Sequence, residues 1–484
     1  MGRDGLGQYG KLGGRCVDKS SDLFDIRRCC RLRVATDKCG NATLTINLVE
    51  NTRNELPLQR RAQRSSRYQK GQAYEGDCRF ISDQSLSQVE PERCSYTNLV
   101  RRQVATHSYR KFHHKESQNS VLSQHVVIAP TFVKSQIVNM SKTPIFLTGA
   151  TGYIGGAVLE RLLAHPSVGT FDITALVRSP EKAKLLETFG VKPVVGSLTE
   201  LDKLAALAEQ AHVVFECADS DDLPAMEAIL KGIKKRHATT GDVPIFIHTS
   251  GSGVLTDNAK GMYATDTIYS DLNVEQIESL PPTAYHRNVD LTIVQADKEG
   301  YAKTYIVLPG TIYGIASGPL FDAQISNRHS MQIPALIKAS LARKQGAMVG
   351  LGKAIWPSVY IDDAADLYIV LFNSILANPD TTGHGREGFY FAENGEHTWY
   401  DISKTVSKVL AEHGIGTDEP TTFSTEELIK YFGSEDFGNY GGTNSRCRAD
   451  RSRSIGWKPT KTKADMLASI KPEVEAILQR QSDV

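Results

Sequence analysis

Thr148-Gly149-Ala150-Thr151-Gly152-Tyr153-Ile154-Gly155 is the stretch that decides the fold. It follows a short apolar run at 144–147 and opens a helical pattern over about 155–163. The three glycines have separate tasks. Gly149 permits a tight turn, Gly152 lets the backbone approach a pyrophosphate, and Gly155 lets helix and strand pack closely. The helix start then presents free N–H groups and a positive dipole end to the phosphates. A lone glycine triplet is weak evidence, so its surroundings matter.

Those surroundings form a ladder. Apolar, β-branched runs at 172–177, 192–195, 212–217, 244–249 and 304–308 alternate with helical patterns, the longest at 223–236. Short strands that are apolar on both faces and alternate with helices form a parallel sheet covered on both sides. The expected fold class is therefore α/β: a Rossmann-type doubly wound parallel sheet over 140–320. A smaller C-terminal α+β substrate portion follows over 321–484, with strands returning to the sheet and helices at about 333–343, 364–376 and 463–479. The expected cofactor contacts are Thr148, Gly149, Thr151, Gly152, Tyr153, Ile154 and Gly155 from the turn, Ala218 after the fourth strand and Pro309 after the sixth. The second strand ends Leu176-Val177-Arg178-Ser179. An acid there would bind a ribose 2′-hydroxyl, whereas Arg accommodates a 2′-phosphate. Arg178 therefore favours NADP, with NAD as the alternative.

The chain divides by composition. Of 484 residues, 40% are hydrophobic and 23% charged, ordinary for a globular protein. Residues 1–139 hold 23 Lys and Arg against 13 Asp and Glu, and the remainder holds 33 against 42. Six of the eight cysteines also precede residue 140. Met140 begins Met-Ser-Lys-Thr-Pro-Ile-Phe-Leu-Thr-Gly, directly before the first strand. Residues 1–139 are thus expected to be an extension, disordered or foreign to the folded protein. Basic clusters at Arg60, Arg61, Arg64 and Arg67 and at 101–115 raise the competing reading of a nucleic-acid tail, which is not the expected partner. Cys29-Cys30 and Cys39 lack zinc spacing, so no metal is expected. No apolar run reaches the roughly 18–20 residues needed to span a bilayer. No secretory h-region precedes the basic segment, and a cytoplasmic, non-membrane protein is expected, with a homodimer left open.

With these residues in view, the chain resembles an extended short-chain dehydrogenase/reductase of the NAD-dependent epimerase/dehydratase group. The resemblance is carried by the glycine turn, Leu176-Val177-Arg178, and Leu308-Pro309-Gly310-Thr311-Ile312-Tyr313-Gly314. Val359-Tyr360-Ile361-Asp362-Asp363-Ala364-Ala365 and Ile455-Gly456-Trp457-Lys458-Pro459 add to it. His286-Arg287-Asn288-Val289-Asp290 and Phe391-Ala392-Glu393-Asn394-Gly395-Glu396 make it most similar to fungal members, and it covers residues 142 to about 480. It implies an oxidoreductase, epimerase or dehydratase acting on a small hydroxy- or keto-substrate, with a place in fungal secondary metabolism.

The resemblance also implies a Tyr, a Lys four residues later, and a Ser or Thr. The Tyr exchanges a proton with the substrate oxygen while hydride passes to or from nicotinamide. Between the fifth and sixth strands no Tyr-x-x-x-Lys occurs. Tyr285 is the candidate proton donor there, with Arg287 or Lys298 supplying the missing positive charge. Ser250 and Ser252 are candidates to orient the substrate. The late pair Tyr400 and Lys404 falls after the sixth strand and is set aside. Asp219 and Asp221 bind substrate or cap the following helix. The missing pair keeps a second class open, a non-catalytic NADP-binding redox sensor.

Overall fold

The computed structural model describes residues 30–36, 42–48 and 142–482. Strands Cys30–Thr36 and Ala42–Leu48 pair antiparallel, Cys30 opposite Leu48 and Thr36 opposite Ala42. A short alternation in sequence, with Leu32 between Arg31 and Arg33 and with Leu44 and Ile46 between polar residues, suits such a pair. The rest of the expected extension, including both basic clusters, lies outside the described residues.

From residue 142 the chain builds one parallel sheet. Its strands are β1 Thr143–Leu147, β2 Phe171–Val177, β3 Lys192–Val195, β4 Val213–Glu216, β5 Ile245–Thr249, β6 Lys303–Pro309 and β7 Phe389–Ala392. The order is β7-β6-β5-β4-β1-β2-β3, and every neighbouring pair is parallel. The six-strand ladder read from the sequence thus gains a seventh strand, contributed by the C-terminal portion. The order reverses beside β1, so the crevice beyond the carboxyl ends of β1 and β4 is the switch point where ligands of such sheets bind.

The sheet is held by burial on both faces. Ile145, Phe146, Leu147, Val213, Val214, Phe215, Phe246, Ile247 and Ile306 are all within 1% of full burial. Helix α1 (Tyr153–Leu163) leaves β1 and packs beside α2 (Ile361–Ala377), and Arg161 ties them through Asp362 at 2.8 Å and Asp366 at 2.7 Å. Phe372 of α2 sets its ring edge-on to Phe171 and Phe215, at 5.7 and 5.6 Å. Each such ring contributes roughly 1.5–3 kcal/mol by leaving water.

A second core lies in the C-terminal portion. Strand Thr311–Tyr313 pairs parallel with Ile355–Tyr360, which pairs antiparallel with Glu396–Thr398. Against them pack Gln332–Arg343, α3 (Trp399–Glu412) and α4 (Lys463–Ser482), burying Ile337, Trp356, Val406, Leu410, Met466 and Ile470. Tyr400 and Lys404 stand on α3 and engage Glu419, Lys404 also meeting Asp418 at 3.0 Å. No helix among the described residues is long and apolar enough to cross a membrane.

His397 sits inside this second core, fully buried, with neither ring nitrogen partnered among the described residues. Burial pushes its pKa down to about 3. The folded state therefore holds His397 neutral while the unfolded chain protonates near pH 6.5. Stability from this residue is intact above pH 6.5 and falls as pH drops toward 3, by about 2 kcal/mol at pH 5. We expect His397→Gln to flatten the fall in thermal midpoint between pH 7 and pH 5. An unchanged slope in the variant contradicts this assignment.

Candidate active site

The glycine turn is shaped by contacts that leave no room for a side chain. Gly149 has φ +77°, and a Cβ there would lie 2.4 Å from the Cys217 carbonyl oxygen at the end of β4. A Cβ on Gly155 would lie 2.3 Å from the Gly149 oxygen, so α1 rests on the turn itself. The Gly152 N–H closes the turn by donating to the Gly149 oxygen at 2.8 Å. Gly152 is otherwise open: a Cβ there would meet only the Gly149 oxygen, at 3.1 Å.

Helix α1 begins with Gly152 as N-cap, without a side-chain cap and without an acid in its first turn. Its first N–H groups, including those of Tyr153, Ile154 and Gly155, therefore lack intrahelical acceptors. The other side of the turn is strapped down. Ser326 donates its hydroxyl to the Ala150 oxygen at 2.8 Å, and the Asn327 N–H donates to the Thr151 oxygen at 3.1 Å. The Tyr153 side chain is absorbed by the fold, donating to the Gly314 oxygen at 2.6 Å, and burial holds its pKa well above the usual value.

Thr148 also turns inward rather than toward the turn's open side. Its hydroxyl donates to Glu216 Oε1 at 3.1 Å and receives the Cys217 N–H at 3.3 Å. Glu216 is buried at the end of β4, and Oε1 also accepts the Ala218 and Asp219 N–H groups at 2.9 and 3.3 Å. Its second oxygen meets His248 Nδ1 at 2.8 Å. A buried carboxylate is costly unless so satisfied, and this one fixes Thr148 and Ala218 to the strand ends. Arg178 stands exposed after β2, with no ion pair among the described residues. Ser179 is occupied as the cap of Pro180–Glu187, accepting the Lys182 N–H at 3.2 Å and donating to Glu181 at 2.6 Å. Pro309 ends β6 opposite Ala392.

The end of β5 meets the start of α5 (Arg287–Lys298). Ser250 and Ser252 are buried there, and neither hydroxyl has a formed hydrogen bond among the described residues. Ser250 faces the fully buried Asp290, whose carboxyl burial pushes up while His248, Ser250, His286 and Arg287 pull it down. His286 is the residue before α5 and has φ +65°. Its Nδ1 pairs with Asp221 Oδ1 at 2.8 Å, and its Nε2 lies about 3 Å from where Cβ atoms on Gly251 and Gly253 would stand. The His286 partner holds Asp221 below the usual carboxylate range. The capping role goes to the neighbouring Asp222, which accepts the Ala225 N–H.

The charge arrangement expected around Tyr285 is not found. Tyr285 is 44% exposed and sets its ring edge-on to Tyr440 at 5.2 Å. Arg287 is 3% exposed, with its guanidinium over the Phe389 ring at 5.9 Å and facing Asp290 and Glu278. Lys298 is exposed at the far end of α5, about 16 Å along the axis from Arg287 at 1.5 Å per residue. That is the end of the helix that feeds the amino end of β6, so Lys298 is set apart from the glycine turn.

The sequence reading passed over Glu216, His248, Tyr440 and the pairing of His286 with Asp221. One signal was present: His286 and Asp290 stand four apart, the spacing sought for Tyr and Lys, in the interval between β5 and β6.

Residues 145–384 match the model of the NAD dependent epimerase/dehydratase family. An oxidase, ucsJ of Acremonium sp., is 28% identical over 70% of this chain and 97% of its own length. A Schizosaccharomyces pombe protein is 27% identical over 65% of this chain and 95% of its own. A UDP-glucose 4-epimerase from Thermotoga maritima, solved with UDP-glucose, aligns at 14% identity over 70% of this chain and all of its own, with a TM-score of 0.48. The chain belongs to the NAD dependent epimerase/dehydratase family of enzymes.

Proposed function

We propose that this chain is an NADP(H)-preferring oxidoreductase, epimerase or dehydratase acting on a small hydroxy- or keto-compound, in keeping with its resemblance to fungal proteins of secondary metabolism. The observation that carries it is the glycine cradle. Three positions where a Cβ would strike or crowd the backbone surround the uncapped N-terminus of α1, the place where a helix accepts phosphate.

The residues fit a dinucleotide in order. The first-turn N–H groups of α1 would hold the pyrophosphate, with Thr151 and Gly152 alongside. Ala218, locked by Glu216, would line the adenosine through its backbone. Arg178, exposed and without an ion pair among the described residues, would meet the 2′-phosphate. Bound there, the nicotinamide supplies hydride exchange with a substrate carbon. Ser250 and Ser252 carry hydroxyls that the fold leaves unpaired, suited to orienting a substrate oxygen.

Two substitutions test this reading by titration calorimetry with NADPH and NADH. We expect Gly152→Ala to keep the wild-type melting temperature within about 2 °C, because its Cβ meets a single atom at 3.1 Å. The same change should weaken either cofactor about tenfold or more by blocking the close approach of phosphate. Unchanged affinity would remove the glycine turn from the site. Arg178→Ala should weaken NADPH about tenfold, the scale of one charge-assisted hydrogen bond, and leave NADH within about twofold. Equal losses for both cofactors would contradict the NADP preference.

A further inference from the structure

The acid–base position of this site holds no tyrosine–lysine pair, and its geometry offers a replacement. His286 is fixed by three independent features. Its backbone takes a left-handed conformation that costs a non-glycine residue about 1–2 kcal/mol. Its Nδ1 is pinned to Asp221 at 2.8 Å, across from the end of β4. Its Nε2 has no partner of its own among the described residues and faces the 250–253 loop, where the buried Ser250 and Ser252 hydroxyls lack formed hydrogen bonds. The side chain is 14% exposed.

Resting on the cofactor reading above, we propose that His286, oriented by Asp221, is the group that gives and takes the substrate proton in this enzyme. With Nδ1–H donated to Asp221, a neutral ring carries its lone pair on Nε2, and a protonated ring carries Nε2–H there. In the reducing direction the Nε2–H bond breaks and an O–H bond forms at the substrate oxygen as hydride reaches the carbonyl carbon. Both electrons come with that hydride from the reduced nicotinamide, and the imidazolium becomes imidazole. Solvent returns the proton. In the oxidising direction each transfer reverses. The imidazolium also supplies the positive charge that lysine would bring, since Arg287 is turned to Phe389 and Lys298 is at the far end of its helix.

Asp290 stands four residues after His286, fully buried among His248, Ser250 and Arg287. It cannot reach a ribose as a lysine would. Its carboxyl lies beside Ser250 in the buried layer beneath the loop. The groups facing His286 are Asp221, Asp290 and the rings of Tyr285 and Tyr440. Of these, Asp221 is the hydrogen-bond partner.

The test uses the full chain with His286→Gln, Asp221→Asn and Tyr285→Phe, each checked for melting temperature. Calorimetry with NADPH reads binding, and NADPH oxidation against a panel of aldehydes, ketones and phenanthrenequinone reads chemistry. Histidine ring NMR reads the His286 tautomer, with its signals identified by their loss in His286→Gln. We expect His286→Gln to bind NADPH within twofold of wild type and to lose turnover about 100-fold or more. In Asp221→Asn turnover should fall about tenfold or more with NADPH affinity within twofold of wild type, and the ring should lose the single Nδ1–H tautomer that the carboxylate selects. Turnover kept in His286→Gln, or lost in Tyr285→Phe alone, overturns the proposal while leaving the cofactor reading intact. A wild-type chain that binds no NADPH overturns the cofactor reading itself, and one that binds NADPH but turns over no member of the panel contradicts the oxidoreductase reading in favour of a non-catalytic NADP-binding sensor.

Discussion

The approach of Gly149 to the carbonyl of Cys217 is the constraint on which the site depends. Two strand ends, β1 and β4, lie side by side, and the chain leaving β1 must turn sharply enough to start α1 directly above them. Only a residue without Cβ fits at that point, because the carbonyl oxygen stands 2.4 Å from where the Cβ would be. Gly155 repeats the constraint one turn into the helix. The closeness brings the start of α1 to the switch point of the sheet, and no side chain comes between its N–H groups and the crevice.

Glu216 consolidates the same junction from inside. A buried carboxylate would be costly alone, but here it gathers Thr148, Ala218, Asp219 and His248. The strand ends on both sides of the crevice are thereby held by one polar hub, and a neighbouring cluster of Ser250, Asp290 and His286 lies beside His248. Many hydrogen-bonding groups under a site fix its geometry when satisfied. The Ser250 and Ser252 hydroxyls, at the end of β5, are among the buried groups without formed hydrogen bonds among the described residues. The polarity of this region therefore has two parts, one closed on itself and one open.

Much of this was legible in the sequence because its signals are local. The glycine spacing, the β-branched runs and the helical patterns each lie within a few residues, and they gave the strands, the crossover helices and the glycine turn. The chemistry was harder to read because its contacts are not local. Asp221 and His286 are 65 residues apart, and Tyr440 reaches Tyr285 from the C-terminal portion. Tyr285 drew attention as a tyrosine in the expected interval, yet the fold turns Arg287 beneath it and carries Lys298 down the helix. Thr148 and Tyr153 were assigned to the cofactor by position, whereas their hydroxyls are spent on Glu216 and Gly314. His397 gave no signal, since a histidine closed inside a small core reads like any surface histidine.

The most direct measurement of the central claim is a crystal structure of the full chain with NADP bound. The account predicts the pyrophosphate against the first-turn N–H groups of α1 and the 2′-phosphate beside Arg178. It predicts the nicotinamide C4 facing the 250–253 loop, with His286 Nε2 within about 3 Å of the substrate oxygen position. A dinucleotide seated elsewhere, or a nicotinamide whose nearest proton donor is the Tyr285 hydroxyl, would contradict it.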